Sequence, residues 1–292
     1  MKRKILNIII LLLLLSGLAV FLYPSISTYI SGREAKSYIA GFERISQSIQ
    51  QPDQTKEDMH ERLLSDMQEY NAAIYESGQP GLADPFSYEQ PAFDLTQYGM
   101  DQNMVGYVTI PRMEIELPIF LGASTDNLAK GAANLGQTSL PVGGINTNTV
   151  LAAHRGYRGS AMFRDIESLE IGDKIYITNF WETLAYEVVE TKVILPSDIS
   201  EILIQQDRDL ISLITCHPYT KNYQRYIVYA ERTTIDNDEQ TPTTGLGLNH
   251  LLKFNEMSSS QQLILVERWL PLAIILLLLV IAIVRFILKR FK

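Results

Sequence analysis

Cys216 is the residue of this chain best suited to act as a nucleophile. It is the single cysteine among 292 residues, and it follows the apolar run 210–214, which predicts a buried strand. Pro218 cannot continue a strand ladder, so the strand should end close to the thiol and leave it at the rim of a sheet. Position alone favours a small core residue over a nucleophile. The catalytic interpretation therefore needs partners elsewhere in the chain.

Two other side chains could supply the positive charge that turns a thiol into a thiolate. His154 closes the predicted strand 149–153 and precedes a glycine-containing loop. Arg225 opens the predicted strand 226–232, and a short loop joins it to Cys216. If these two strands are antiparallel neighbours, that loop places Cys216 and Arg225 at one rim. Taken singly, each partner is also typical of a solvent-facing side chain.

A thiol, an imidazole and a guanidinium together suit acyl transfer. The thiolate attacks a carbonyl, the histidine shuttles protons, and the guanidinium holds the oxyanion. Such an enzyme would act on peptide or ester carbonyls.

Composition excludes several other classes of function. The net charge is −8 and no basic patch is interleaved with aromatic residues, so we do not expect nucleic acid as a partner. One cysteine excludes an internal disulfide framework and a multi-cysteine metal site. The four histidines are scattered without metal-ligand spacing, so we expect neither a metal nor another cofactor. These histidines are His60, His154, His217 and His250.

From about residue 105 the chain is rich in short β-type runs, which must position these side chains. The candidate strands are 106–110, 115–119, 149–153, 174–178, 184–189, 192–195, 210–215 and 226–232. About eight short strands with few helical patterns between them predict a closed barrel or a sandwich. One helix is expected over 127–135 and a helical turn over 162–169.

Before the β-rich region, apolar residues recur at three- and four-residue intervals and predict a helical hairpin that packs on the chain's own domain. The sequence Gln-Pro-Asp at 51–53 separates its two helices, and a loop to about residue 100 follows. That loop contains Asp84, Pro85 and Phe86. After the strands, residues 236–247 resemble a linker, followed by a short helix.

Both ends of the chain carry patterns typical of membrane segments. Residues 5–23 are almost entirely apolar and, at about 1.5 Å per residue, just span a bilayer core of roughly 30 Å. A cleaved signal peptide is the alternative, but the long apolar region favours a retained anchor. Residues 269–284 form the second segment. Basic residues flank both outer ends, which predicts cytoplasmic termini and an extracytoplasmic domain at the cell membrane.

The order of motifs resembles the sortases, a family whose signature is Thr-Leu-x-Thr-Cys. Residues 212–216 read Ser-Leu-Ile-Thr-Cys, with serine in place of the first threonine. The run from 139 to 156 is similar to the family's histidine segment, with Ala153 where glycine is usual. His217 stands where threonine or another small residue is common. The resemblance covers about 105–232 and implies a mainly β fold, a closed eight-stranded sortase-type barrel with short helices.

Class C, the pilus-assembling sortases of Gram-positive bacteria, is the subgroup that the chain resembles most. Asp84-Pro85-Phe86 is similar to the lid that covers the active site of these enzymes. In such a lid Asp84 would pair with Arg225, and Phe86 would stack over the thiol and shield it from water and oxidation. On the tripeptide alone, an ordinary proline turn is the alternative. A second membrane segment is also in keeping with class C.

The resemblance implies a mechanism and a domain organisation. Cys216 would attack the Thr–Gly bond of an LPxTG-like sorting signal on a secreted pilin and form a thioester. His154 would act as general acid and base, and Arg225 would stabilise the oxyanion or position the peptide. A lysine amine of the next pilin would resolve the thioester. The expected segments are a membrane anchor (1–30), the hairpin and lid (31–100), the barrel (101–235), a linker with a short helix (236–265) and a second membrane helix with a basic tail (266–292).

Two alternatives remain open at this point. One is a transpeptidase that anchors proteins to the cell wall, or a thiol enzyme that mainly hydrolyses its substrate. The other is a non-catalytic, membrane-tethered assembly module.

Overall fold

The structure is a computed structural model that describes residues 2–49, 54–87, 93–100 and 102–235, together with Ile274 and Leu278. Two compact units divide the chain, one comprising Met1–Ile30 with Gly247–Lys292 and the other comprising Ser31–Leu246. The predicted linker and short helix over 236–265, and the helix break at 51–53, lie outside the described residues.

The predicted membrane segments are not confirmed. Within the ranges just given, no helix combines the length and apolar character needed to cross a membrane. The first segment falls within α1 (Lys2–Ile49), a helix that runs on into the predicted hairpin. The second segment lies outside the described residues except for Ile274 and Leu278.

Eight strands close into a mainly β barrel, which confirms that part of the predicted fold class. The order around the barrel is β1-β2-β3-β4-β7-β8-β6-β5, and β1 pairs with β5 to complete it. The β2–β3 and β4–β7 pairs are parallel and the other pairs are antiparallel. The strands are β1 Met104–Ile110, β2 Ile115–Leu121, β3 Ala132–Asn134, β4 Thr147–Ala152, β5 Lys174–Thr178, β6 Thr183–Ile194, β7 Asp209–His217 and β8 Gln224–Thr233.

The helices lie before the barrel and in its connections. The α-helices are α1, α2 (Gln54–Ser77) and α3 (Thr125–Lys130). Short 3₁₀ turns cover Pro85–Ser87, Thr96–Tyr98, Pro111–Met113, Ile166–Ser168 and Ile199–Ile202. The helical turn expected over 162–169 is thus only the 3₁₀ turn Ile166–Ser168.

The helical hairpin packs against the barrel as expected. Phe42 of α1 lies with its ring centroid 4.5 Å from that of Phe180, and Leu63 and Met67 of α2 are fully buried. Asn71 of α2 ties the hairpin to the barrel, because its side chain accepts a hydrogen bond from the backbone N–H of Leu140 and donates one to the carbonyl of the same residue. The hairpin and the barrel interior therefore share one hydrophobic core.

Two predicted elements differ from the observed ones. The helix predicted over 127–135 stops at Lys130, and Ala132–Asn134 form β3 between β2 and β4. Two alanines favour a helix in isolation, but the exposed backbone of the two neighbouring strands offers them ladder hydrogen bonds, and tertiary pairing overrides propensity. The segments 184–189 and 192–195 are one strand, β6, with a register shift between Val188 and Glu190. A β-bulge at that point lets the strand continue through a polar stretch that resembles a turn.

Candidate active site

Cys216 and Arg225 face each other across the β7–β8 ladder. They are direct partners in the antiparallel register, one position from the end of β7 at His217. The short loop that begins at Pro218 joins the two strands, as the sequence predicts. Cys216 is a free, half-buried thiol, so it belongs neither to the closed interior nor to open surface.

His154 follows β4, the strand on the other side of β7. The parallel β4–β7 register ends with Ala152 opposite Ile214, and continuing it by two residues brings His154 level with Cys216. Thr215 holds this connection, because its hydroxyl donates to the carbonyl of Ala153 at 2.7 Å. Three adjacent strands thus bring the predicted thiol, imidazole and guanidinium to one rim of the barrel.

The Arg225 guanidinium is buried and donates four hydrogen bonds. Its Nε and one terminal nitrogen donate to the two carboxylate oxygens of Asp84 at 2.6 and 2.8 Å, a bidentate ion pair. Its other terminal nitrogen donates to the backbone carbonyls of Asn222 and Gln224 at 3.1 and 2.9 Å. The two carbonyls fix the direction of the guanidinium, and Asp84 takes up its Nε and its remaining terminal nitrogen.

The segment Asp84-Pro85-Phe86 covers this rim. Asp84 precedes the 3₁₀ turn Pro85–Ser87, and the Phe86 ring lies 5.0 Å from the Arg225 guanidinium carbon and 6.0 Å from the His154 ring centroid. Phe86 therefore contacts the groups that stand on strands to either side of Cys216. The expected stacking of this ring over the sulfur itself stays a prediction.

Burial keeps the two reactive groups neutral. It raises the pKa of the Cys216 thiol, and the nearby Asp84 carboxylate adds to the increase, while Arg225 and Arg155 oppose it. Burial also lowers the pKa of His154, whose ring stacks on Tyr157 with centroids 4.7 Å apart. A protonated thiol beside an uncharged imidazole is a resting arrangement, and the covered rim is consistent with it.

A second charged group at this rim was missed from the sequence. Arg155, Glu167 and His217 form a buried cluster beneath the thiol's own peptide, and one guanidinium nitrogen of Arg155 donates to the carbonyl of Cys216 at 3.3 Å. His217 belongs to this cluster although it is the last residue of β7, and its side chain is only 17% exposed. The three residues are far apart in the chain, and only the adjacency of Arg155 to His154 hinted at a role.

Metal ligands are not assembled in the part of the chain that the structure describes. No group of three or more His, Cys, Asp or Glu side chains there is arranged to hold a metal ion.

Comparison with known proteins gives one consistent family. The family description "Sortase domain" matches residues 108–233. Sortase D of Bacillus subtilis (strain 168) is 33% identical over 44% of this chain and 64% of its own length, just under two thirds. Sortase A of Bacillus anthracis is 31% identical over 53% of this chain and 72% of its own length.

Solved structures agree in fold. Sortase C1 of Pilus Island 1 from Group B Streptococcus aligns with a TM-score of 0.61 and 30% identity, over 72% of this chain and 96% of that chain. Sortase C of Streptococcus pneumoniae aligns with a TM-score of 0.59 and 33% identity, over 68% of this chain and 97% of that chain. Because the barrel, the order of motifs and these relatives all coincide, the chain belongs to the sortase family.

Proposed function

We propose that this chain is a class C sortase, a cysteine transpeptidase that joins secreted pilin subunits. It cleaves an LPxTG-like sorting signal and transfers the acyl group to a lysine amine of the next subunit. The observation that carries the proposal is the Cys216–Arg225 cross-strand pair under an Asp-Pro-Phe segment that holds Arg225 through both carboxylate oxygens. The similar solved structures of Group B Streptococcus and Streptococcus pneumoniae are described as pilus sortases or as acting on pilins.

The residues at the rim divide the reaction between them. His154 first takes the proton of the Cys216 thiol. The thiolate then attacks the threonine carbonyl carbon, and Arg225 donates hydrogen bonds to the oxyanion that develops. His154 gives its proton to the leaving glycine amine as the C–N bond breaks, which leaves a thioester on Cys216. His154 then takes a proton from the incoming lysine amine, which attacks the thioester and expels the thiolate.

The Asp84 carboxylate must leave Arg225 before this can happen. In the closed arrangement the two oxygens of Asp84 occupy the donors that the oxyanion needs. A substrate that displaces Asp84 gains a bidentate donor and also removes the anion that raises the pKa of Cys216. Substrate entry and thiol activation are therefore linked in this proposal.

The test uses the full-length chain with a peptide that carries an LPxTG-like signal. We expect cleavage at the Thr–Gly bond, an acyl-enzyme on Cys216 and transfer to a lysine amine presented by a pilin. Cys216→Ala is the matched inactive variant and should give neither the thioester nor any polymer in cells. If polymer still forms with Cys216→Ala, the proposal of an enzyme is rejected. The non-catalytic assembly module is then the better interpretation of the chain.

A second candidate is a transpeptidase that anchors proteins to the cell wall. It is favoured by the curated relatives, which are named sortases A and D. Offering a wall-precursor amine and a pilin lysine in competition separates the two, because pilus assembly requires preference for lysine. A product that forms only with the wall precursor would replace the first proposal by the second.

We also propose that the barrel lies outside the cell membrane and that both termini are cytoplasmic. The basis is the pair of apolar segments 5–23 and 269–284, each with basic residues on its outer side. Protease added to intact protoplasts should digest the barrel while a tag on either terminus stays protected. A barrel that stays protected from protease in intact protoplasts would contradict this topology.

A further inference from the structure

We propose that Arg155, held by Glu167 and His217, is a positioning residue for Cys216. It fixes the carbonyl of the nucleophile's own residue and keeps a second positive charge beside the thiol, in addition to Arg225. This inference rests on the proposed role of Cys216 as nucleophile, and its first measurement, alkylation of the thiol, needs no substrate.

The two charged side chains of this cluster, Arg155 and Glu167, are almost completely buried. The side chains of Arg155 and Glu167 are 3% and 6% exposed, and they form a close ion pair through a terminal guanidinium nitrogen and Oε1 of Glu167. Taking two charges out of water is costly, so such pairs are weak contributors to stability by themselves. Among the described residues, Nε of Arg155 has no hydrogen-bond partner, so the guanidinium is not fully compensated.

The geometry directs the guanidinium towards the nucleophile. The second terminal nitrogen of Arg155 lies 3.3 Å from the carbonyl oxygen of Cys216 and 2.8 Å from Nδ1 of His217. A guanidinium can only donate, so Nδ1 of His217 accepts from Arg155 in the neutral tautomer that carries its proton on Nε2. Burial and the neighbouring Arg155 both lower the pKa of His217, which favours the uncharged ring, while Glu167 opposes them. One nitrogen of Arg155 thus clamps two consecutive residues at the end of β7.

Glu167 is the second charged neighbour of His217 in this cluster. Its Oε1 also lies 3.1 Å from Nδ1 of His217. Protonation of the ring would let His217 donate to Glu167 and would place a second cation against Arg155. The contact from Arg155 to Nδ1 of His217 therefore requires a neutral ring.

Four other titratable groups stand at this rim with Cys216 and Arg155. Arg225 on β8 and Arg155 after β4 lower the pKa of Cys216, and Asp84 of the lid raises it. His154 stands level with Cys216 by the strand register and His217 follows it directly, and both rings are held neutral by burial. Unlike Arg225, Arg155 has no part in binding the oxyanion in the proposed mechanism.

The experiment measures alkylation of Cys216 by iodoacetamide as a function of pH on the full-length chain. The double variant Arg155→Met/Glu167→Gln removes both buried charges at once, so it leaves no unpaired ion in the interior. We expect its alkylation midpoint to move to higher pH, with less thiolate at neutral pH, because Arg155 is one of the two cations that lower the pKa of Cys216. Arg208→Met/Glu231→Gln is the matched control, because it removes another Arg–Glu pair away from the rim and should leave the midpoint unchanged.

Arg155→Lys separates positioning from folding. Lysine restores the charge but has no planar fork to hold Glu167 with one nitrogen and the Cys216 carbonyl with another. We expect the alkylation midpoint to return towards that of the unmodified chain while peptide cleavage stays several-fold slower. A folded double variant with an unchanged midpoint would overturn the proposal. So would a lysine variant that restores neither midpoint nor cleavage, because a purely structural role would lose both together. If the unmodified chain cleaves no peptide, the proposed function is rejected. The alkylation of Cys216 would still test the role of Arg155.

Discussion

At the scale of single residues, burial favours the uncharged forms of the Cys216 thiol and the His154 imidazole. The pKa of Cys216 is raised and that of His154 is lowered, both chiefly by burial, so the thiolate–imidazolium pair is disfavoured. Asp84 contributes on the same side, because its carboxylate is an anion close to the sulfur. Removing Asp84 should therefore lower the pKa of the thiol and expose it at the same time.

The first prediction separates these two effects. Asp84→Ala/Phe86→Ala should react with iodoacetamide several-fold faster than the unmodified chain at neutral pH, because the rim is uncovered. Asp84→Asn keeps the size of the side chain and removes its charge, so the pKa of Cys216 falls and the labelling curve moves to lower pH. Labelling rate against pH is the measurement.

Asp126→Ala is the control for this prediction, because Asp126 is an exposed carboxylate that pairs with Lys130 away from the rim. Equal rates in the lid variants and the unmodified chain would mean that residues 84–86 do not cover the thiol. A faster double variant with an unshifted Asp84→Asn curve would mean that the lid acts by coverage alone.

Residue types and spacing predict that Cys216, Arg225 and His154 lie at one rim, and the strand registers place them there. The first two are joined by a short loop, and the third ends a strand that a parallel pairing brings alongside β7. The Arg155–Glu167 pair could not be predicted in this way. Glu167 lies in a 3₁₀ turn between strands, and nothing in its local sequence indicates that it is buried against the rim.

At the scale of elements, the segment that carries Asp84 is anchored through Gln79. This residue follows α2 with a φ of 56° and is only 5% exposed. Its side-chain nitrogen donates to the carbonyl of Gln137 at 2.8 Å, and its side-chain oxygen accepts from the N–H of Ile204 at 2.6 Å. One amide thus joins the start of the lid to two separate loops of the barrel.

The second prediction follows from that bridge. Gln79→Ala leaves one backbone carbonyl and one backbone N–H without their partner, which should reduce stability by about 1–3 kcal/mol. The lid should also lose its fixed starting point, so alkylation of Cys216 should become faster. Both are measured on the same protein, by urea unfolding and by labelling.

Glu76→Ala is the comparison for Gln79→Ala, since Glu76 is an exposed residue of the same helix end. It should change neither quantity. Reduced stability with an unchanged labelling rate would show that Asp84 alone holds the lid, and that Gln79 serves the barrel loops instead.

Secondary structure was predictable where the pattern is local and failed where pairing decides. Lys174–Thr178 alternates and was predicted with its observed bounds. β3 is three residues long, contains two alanines and exists because β2 and β4 both pair with it. The continuity of β6 depends on β8, which pairs with it on both sides of the register shift after Val188.

At the scale of the whole molecule, the rim is held in place by the closure of the barrel. β1 and β5 form the pair that completes the ring, with Tyr107 opposite Thr178. Because β5 pairs with β6 and β6 pairs with β8, the β1–β5 pair also constrains the position of β8, the strand that carries Arg225. A sandwich remained an alternative at the level of sequence, because strand patterns do not show whether the first and last strands meet.

The third prediction concerns Gly106 of β1, which precedes Tyr107, the partner of Thr178 in β5. A Cβ there would stand 2.3 Å from the carbonyl oxygen of Thr178, so a side chain must push the strands apart. Gly106→Ala should reduce the free energy of unfolding by about 1–3 kcal/mol, as overpacking does in well-packed interiors. Gly41→Ala in α1 is the matched control. Its Cβ would meet nothing within 4 Å, and alanine favours a helix by roughly 0.8–1.0 kcal/mol over glycine, so it should stabilise. Urea unfolding of the full-length variants measures both changes. If Gly106→Ala unfolded at the same urea concentration as the unmodified chain, the β1–β5 contact would not be needed to hold the barrel closed.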